Sequence, residues 1–184
     1  LAELTTRYPG LDIDLAFDVR NVSLERRETD IALRYAKPED GDVVARRLAT
    51  IGFGLYATPD YAERLARGET PAFVGFDEMN AHLPEAVWLS RHFPRARIAF
   101  RASNQIAQAA AARAHGGIAL LPHFIGRVDA ALTLVVLGET PPSRELWLIS
   151  RRQDRKDASV RAVADFLAEL FTTQHSLFEA PIDR

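Results

Sequence analysis

Residues 97–122 read Arg97-Ile98-Ala99-Phe100-Arg101-Ala102-Ser103-Asn104-Gln105-Ile106-Ala107-Gln108-Ala109-Ala110-Ala111-Ala112-Arg113-Ala114-His115-Gly116-Gly117-Ile118-Ala119-Leu120-Leu121-Pro122. Ile98 and Phe100 alternate with polar or small residues, the period of a strand with two unlike faces. Ser103 through His115 is rich in alanine, the strongest helix former. Gly116-Gly117 ends that helix. Ile118–Leu121 is a short apolar run of the kind that forms a buried strand, and Pro122 stops it. Strand, helix, strand within 26 residues is a βαβ unit.

The same pattern is expected upstream. Leu11, Ile13, Leu15, Phe17 and Val19 alternate with Asp12, Asp14, Ala16 and Asp18, which predicts a strand over 11–19. Tyr8-Pro9-Gly10 reads as the turn that closes a preceding helix. Ser23 caps a predicted short helix through Glu28, and Asp30–Tyr35 is the next strand, so parallel pairing is expected here too. Lys37–Asp42 is a polar loop. Val43–Leu48 and Ile51–Ala57 are extended. Thr58-Pro59 starts a helix with proline at its first position, placing Tyr61 and Leu65 on the inner face. Ala72–Phe76, Leu132–Leu137 and Glu145–Ser150 are further strands. Val160, Val163, Ala164, Leu167, Leu170 and Phe171 share one face of a final helix, capped by Asp157 or Ser159. After Thr173 no pattern stands out. Alternating strands and helices give an α/β fold; whether the two βαβ units share one sheet or form two lobes stays open at this level.

The chain has 184 residues, a formal net charge of −2 and no cysteine. That balance argues against a module that grips nucleic acid by itself, which needs a basic stripe. It also excludes disulfides and thiolate chemistry. No apolar run reaches the roughly 20 residues of a membrane helix. The chain begins at Leu1, as expected of a fragment or processed form.

Catalytic signatures are missing. The five histidines, His82, His92, His115, His123 and His175, have no metal-site spacing, so no metal is expected. There is no nucleophile elbow, phosphate loop or dinucleotide loop, so no cofactor is expected. Asp12, Asp14 and Asp18 read as a solvated strand face rather than paired acids. Trp88 and Trp147 read as core or rim packing.

One feature points to a ligand. Ser103-Asn104-Gln105 stands where a strand ends and a helix begins. The first turn of a helix carries free N–H groups and the positive end of its dipole, and can hold a carboxylate or other anion. Ser103 or Asn104 can equally be a helix cap, and the two roles are compatible. His123 and Phe124 follow the next strand on the same side; His123 either faces that ligand or sits in an exposed loop. Arg34 and Tyr35 end a strand of the upstream unit, and Arg34 either meets a ligand or pairs with a nearby acid.

In order and spacing these segments resemble the effector-binding domain of LysR-type transcriptional regulators. The resemblance is carried by Tyr8-Pro9 with Leu11–Leu15, Asp30–Arg34, Val44–Leu48 with Leu55–Tyr61, Gly117–Pro122, Glu145–Leu148 and Val160–Leu167. Trp88, Ala102-Ser103-Asn104 and a polar cap helix look like the subgroup related to glycine-cleavage activators. The resemblance implies two Rossmann-like lobes joined by two crossover strands, as in type II periplasmic binding proteins. It puts lobe I at 1–48 plus 148–184 and lobe II at 49–147, with the family's first strand and its helix-turn-helix lying upstream of Leu1. It implies a cytoplasmic, non-enzymatic sensor that binds a small-molecule effector in the cleft between lobes, forms a homodimer or homotetramer, and meets DNA only through the absent N-terminal domain. The ligand contacts implied are Arg34, Tyr35, Ser103, Asn104, Gln105, His123 and Phe124. In such a dimer the helix over 104–115 faces a partner, and its alanines either permit close approach or pack on their own sheet. His115 stands where the family often has glycine, so Gly116 is expected in the left-handed position. A periplasmic solute-binding protein of the same architecture is the alternative.

Overall fold

A computed structural model describes residues 1–16, 29–38 and 41–179. The described residues divide into two compact units. One comprises those of Leu1–Thr50 and Glu145–His175; the other comprises Ile51–Arg144 and the segment from Ser176.

The first unit opens with helix α1 (Ala2–Arg7), anchored by Leu4, which is fully buried. Strand β1 (Ile31–Arg34) pairs antiparallel with β7 (Ser143–Arg151), aligning Ile31 with Ser150 and Arg34 with Trp147. Leu148 and Ile149 of β7 are buried. At the end of β7, Arg151 donates to Asp30 Oδ1 at 2.7 Å, to the Thr29 carbonyl at 2.8 Å and to Asp154. One guanidinium thus ties the entry of β1 to the turn Arg152–Lys156. Helix α6 (Ala158–Thr173) is capped by the Asp157 carboxylate, which accepts from Ser159 N and Val160 N, and buries Leu167, Ala168 and Phe171. Trp147 packs under the Lys37 ammonium, 5.6 Å from its ring centre, so its role here is packing.

Two expectations are corrected in this unit. Leu11–Ala16 belongs to no strand, although Leu11 and Ile13 are half-buried while Asp12 and Asp14 are exposed. Leu15, the next apolar residue of the alternation, is 57% exposed, and a strand needs a neighbouring ladder as well as a period of two. The rest of that expected strand and the helix expected over Ser23–Glu28 lie outside the described residues. Among the described residues β1 pairs antiparallel with β7 and not in parallel with residues 11–16.

Strand β2 (Val43–Ala57) is continuous where two extended pieces were expected. Val43–Thr50 is half-buried or exposed, whereas Ile51–Ala57 is buried throughout. The second unit builds its sheet on that buried half, in the order β6 (Thr133–Val135), β2, β5 (Ile118–Pro122), β3 (Ala72–Phe76), β4 (Arg97–Ala102). β5, β3 and β4 run parallel, and β2 is antiparallel to β5 and β6. The βαβ reading of residues 97–122 holds, with β3 lying between the two strands it joins.

Helix α2 (Pro59–Ala66) starts as expected: Thr58 Oγ1 accepts from Tyr61 N, and Tyr61 is buried. Helix α4 (Gln105–Arg113) covers one face of the sheet. Its Ala109 and Ala112 are buried with Val74, Ala119, Leu121 and Tyr56, so these small side chains bring the helix close to its own sheet. Helix α3 (Pro84–His92) covers the opposite face, where Leu89 packs beside Gly75 and Ile98. Trp88 stacks on His92 at 4.8 Å between ring centres and meets Phe93 edge-on.

The end of α4 departs from expectation. His115, not Gly116, takes the left-handed conformation, at φ 63°. His115 N donates to Ala112 O and Gly116 N to Ala111 O, the paired bonds of a Schellman cap. Glycine is needed at 116 for a different reason: a Cβ there would lie 2.8 Å from Ala111 O. His115 Nδ1 lies 3.1 Å from Thr58 Oγ1, a bond that helps hold the strained residue. After Thr173, where no pattern stands out in the sequence, the chain forms a short helix α7 (His175–Phe178) with Phe178 buried.

Candidate functional site

The carboxyl ends of parallel β4, β3 and β5 lie along one edge of the second unit's sheet, at Ala102, Phe76 and Pro122. In open α/β sheets this is the edge that binds ligands. Each end leads into a helical turn: β4 into α4, β3 into Glu78–Asn80, and β5 into α5 (His123–Gly126).

Asn104 is the cap of α4; its Oδ1 accepts from Ala107 N at 2.9 Å, and the residue is exposed. Ser103 is exposed and makes no hydrogen bond among the described residues, leaving its hydroxyl open to an incoming group. Gln105 is half-buried in the first turn. Beneath them Gln108 is buried and its Nε2 donates to Ala102 O at 3.4 Å, tying the helix to the end of β4.

His123 is not an exposed loop residue. It is 1% exposed, and its Nδ1 lies 2.7 Å from the Tyr56 hydroxyl. Burial first, and the nearby Arg127 charge second, lower its pKa from 6.5 to about 4, so the ring is neutral at pH 7. Burial raises the Tyr56 pKa against the opposing effect of Arg127, which keeps the phenol protonated. The Nε2–H tautomer of His123 lets that phenol donate to Nδ1; Nε2 is buried with no partner among the described residues. Gly54 makes room for the ring, since a Cβ there would sit 2.8 Å from His123 Cε1. Gly126 does the same for Tyr56, whose ring would overlap any added Cβ. Phe124 is half-buried and packs on Phe178 at 5.7 Å between centres, and Arg127 Nη1 donates to Ser176 O at 2.7 Å. The turn after β5 is therefore held from two sides.

Of the residues expected to contact ligand, Ser103, Asn104, Gln105, His123 and Phe124 stand along this edge, with His123 directed into protein. Arg34 and Tyr35 belong to the first unit, both half-buried at the end of β1. Sequence reasoning missed Tyr56, whose position in an apolar run of β2 gave no sign of a polar partner. Among the described residues no three His, Asp or Glu side chains converge as a metal site.

Residues 1–172 match the LysR substrate binding domain family. The Mau operon transcriptional activator of Paracoccus denitrificans is 26% identical over 174 residues, covering 93% of this chain and 59% of that protein. The chain thus spans about three fifths of that relative's length. The regulatory domain of CrgA, a LysR-type transcriptional regulator of Neisseria meningitidis, superposes with a TM-score of 0.73 at 22% identity, covering 92% of this chain and 88% of that one. The CcmR regulatory domain of Synechocystis PCC6803, solved in complex with 2-PG, gives 0.66 at 18% identity, covering 94% and 89%. The likeness shows the fold, the mixed α/β architecture of LysR regulatory domains, which is of the type II periplasmic-binding-protein kind.

Proposed function

This chain belongs to the LysR substrate-binding domain family, and from that premise we propose that it is the effector-sensing part of a transcriptional regulator whose DNA-binding helix-turn-helix is a separate segment. The observation that carries the reading is the family match over residues 1–172. Its described relatives are regulators rather than enzymes or solute carriers. The net charge of −2 supports leaving DNA contact to another domain, because phosphate binding draws on clustered basic residues.

The effector proposed is a small molecule with a carboxylate or other anionic group. Its contacts in the second unit are Ser103, Asn104 and Gln105, backed by His123 and Phe124; Arg34 and Tyr35 are its contacts in the first. The unengaged Ser103 hydroxyl and the start of α4 support the anionic character. The lobes proposed are 1–48 with 148–184 and 49–147, and the assembly a homodimer or homotetramer. Trp88 and Ala102-Ser103-Asn104 favour the subgroup related to glycine-cleavage activators. The protein acts in the cytoplasm and has no catalytic activity of its own. The effector shifts the regulator only by binding one arrangement better than another.

A thermal-shift screen of small organic acids, followed by calorimetry of any hit, tests this. The Ser103→Ala, Asn104→Ala double variant should bind the hit at least about tenfold more weakly, a loss of about 1.4 kcal/mol. Unchanged affinity removes both residues from the site.

A further inference from the structure

The α3 face of the second unit carries a groove that the effector contacts above do not use. It holds about 320 Å³ and runs along the edge strand β4 beneath α3. That volume suits one small molecule, at the lower end of ligand pockets of roughly 300–1,000 Å³.

A β-bulge builds it. Phe73 aligns with Ile98 but Val74 with Phe100, so Ala99 is the extra residue of β4. The shift puts Arg101 opposite Gly75. Ile98 and Arg101, three apart in sequence, therefore share the face of Phe73 and Gly75, where regular alternation would separate them. Gly75 adds no side chain at that point, and the space it leaves is floored by Ile98 and walled by Leu89 and Phe93. Glycine inside a strand often marks such a close approach.

The polar groups at the rim have both signs. Arg101 is exposed and makes no ion pair among the described residues. Opposite in charge are Asp77 and Glu78, which follow β3. One Asp77 oxygen accepts from Asn80 N and Nδ2, and the other has no partner among the described residues. An apolar trough with a guanidinium and carboxylates at its rim matches a molecule with an apolar body, a carboxylate and an ammonium. We propose that this groove is a second binding site, for a free amino acid with an apolar side chain: carboxylate to Arg101, ammonium to Asp77 and Glu78, side chain over Gly75 against Leu89, Ile98 and Phe93.

Amide NMR titration of the 184-residue chain with L-phenylalanine, L-leucine, 3-phenylpropanoate and phenethylamine tests it. Saturable shifts at Gly75, Phe76 and Arg101 are expected with the amino acids, with binding at least about tenfold weaker for the two singly charged analogues. Gly75→Val fills the trough; its Cβ alone would stand 3.4 Å from Ile98 Cγ2 and 3.7 Å from Leu89 Cδ2, so its fold is checked by thermal melting beside the binding measurement. Gly75→Val and Arg101→Gln should each weaken phenylalanine binding by about tenfold or more, and Arg101→Gln alters only an exposed side chain. Ser103→Ala should leave it unchanged, which separates this site from the effector contacts. The proposal is overturned if neither amino acid moves these amides at about 10 mM, if the analogues bind equally well, or if Arg101→Gln leaves affinity intact.

Discussion

The Tyr56 hydroxyl lies 2.7 Å from His123 Nδ1, and both side chains are at most 2% exposed. The bond joins the carboxyl end of β2 to the first residue after β5, so it fixes the turn that carries Phe124. Removing the hydroxyl leaves the imidazole buried without its partner, and an orphaned buried group costs about 1–3 kcal/mol. Tyr56→Phe should lower the unfolding free energy by that amount, read as a lower denaturant midpoint with an unchanged slope. A midpoint equal to wild type means that the bond contributes nothing.

His123 also sets a pH dependence. Its folded pKa of about 4 lies below the 6.5 of a free imidazole. The unfolded chain therefore takes up a proton first as pH falls. Stability present above pH 6.5 is lost between 6.5 and about 4, by on the order of 3 kcal/mol at the lower end. Unfolding curves across that window should show the decline, and His123→Gln should flatten it. An identical slope in the variant assigns the decline to other groups.

Gly117 has φ 131°, and a Cβ there would sit 2.6 Å from the Ala72 carbonyl oxygen. Both the conformation and the contact exclude a side chain. Gly117→Ala should destabilise the fold by more than about 2 kcal/mol, because β3 would have to move away from the start of β5. Thermal melting reads this directly, and a shift within error of wild type contradicts the packing described.

Asn104 and Ser103 separate stability from binding. Asn104 caps α4 through Ala107 N, so Asn104→Ala should cost about 1 kcal/mol. Ser103 has no intramolecular bond among the described residues, and Ser103→Ala should leave the melting temperature in place. A clear loss of stability in Ser103→Ala assigns it a structural role.

Arg151 holds Asp30, Asp154 and the Thr29 carbonyl from a side chain only 11% exposed. Arg151→Met should cost about 2–4 kcal/mol, because it strips a charge-assisted cluster of its donor. Chemical denaturation gives the value. A loss below about 0.5 kcal/mol marks the cluster as an ordinary surface set.

The readings that succeeded rest on local chemistry. Thr58-Pro59 and Asp157 are cap residues, Gly116-Gly117 is a breaker, and the apolar face of α6 repeats at helical spacing. Each signal resides in a few neighbouring residues. Failures came where a distant partner decides. Leu11–Ala16 alternates as a strand does, yet alternation cannot supply a ladder. His123 read as either a ligand-facing or an exposed loop residue, and its burial was not legible because Tyr56, its partner 67 positions away, sits in an apolar run. Ile98 and Phe100 read as one face of an alternating strand, yet they align with Phe73 and Val74 on opposite faces, since nothing in Arg97–Ala102 announces a bulge at Ala99. Ser103-Asn104-Gln105 was legible as a helix start beside a strand end, and that is where the sheet's carboxyl edge lies.

The proposed sensing of a small anionic effector takes place at the head of α4. Amide NMR of the chain, titrated with whichever organic acid stabilises it most, tests this without mutation. The largest saturable shifts are expected at Ser103, Asn104 and Gln105. Saturable binding that leaves those three amides unmoved while shifting others would contradict it.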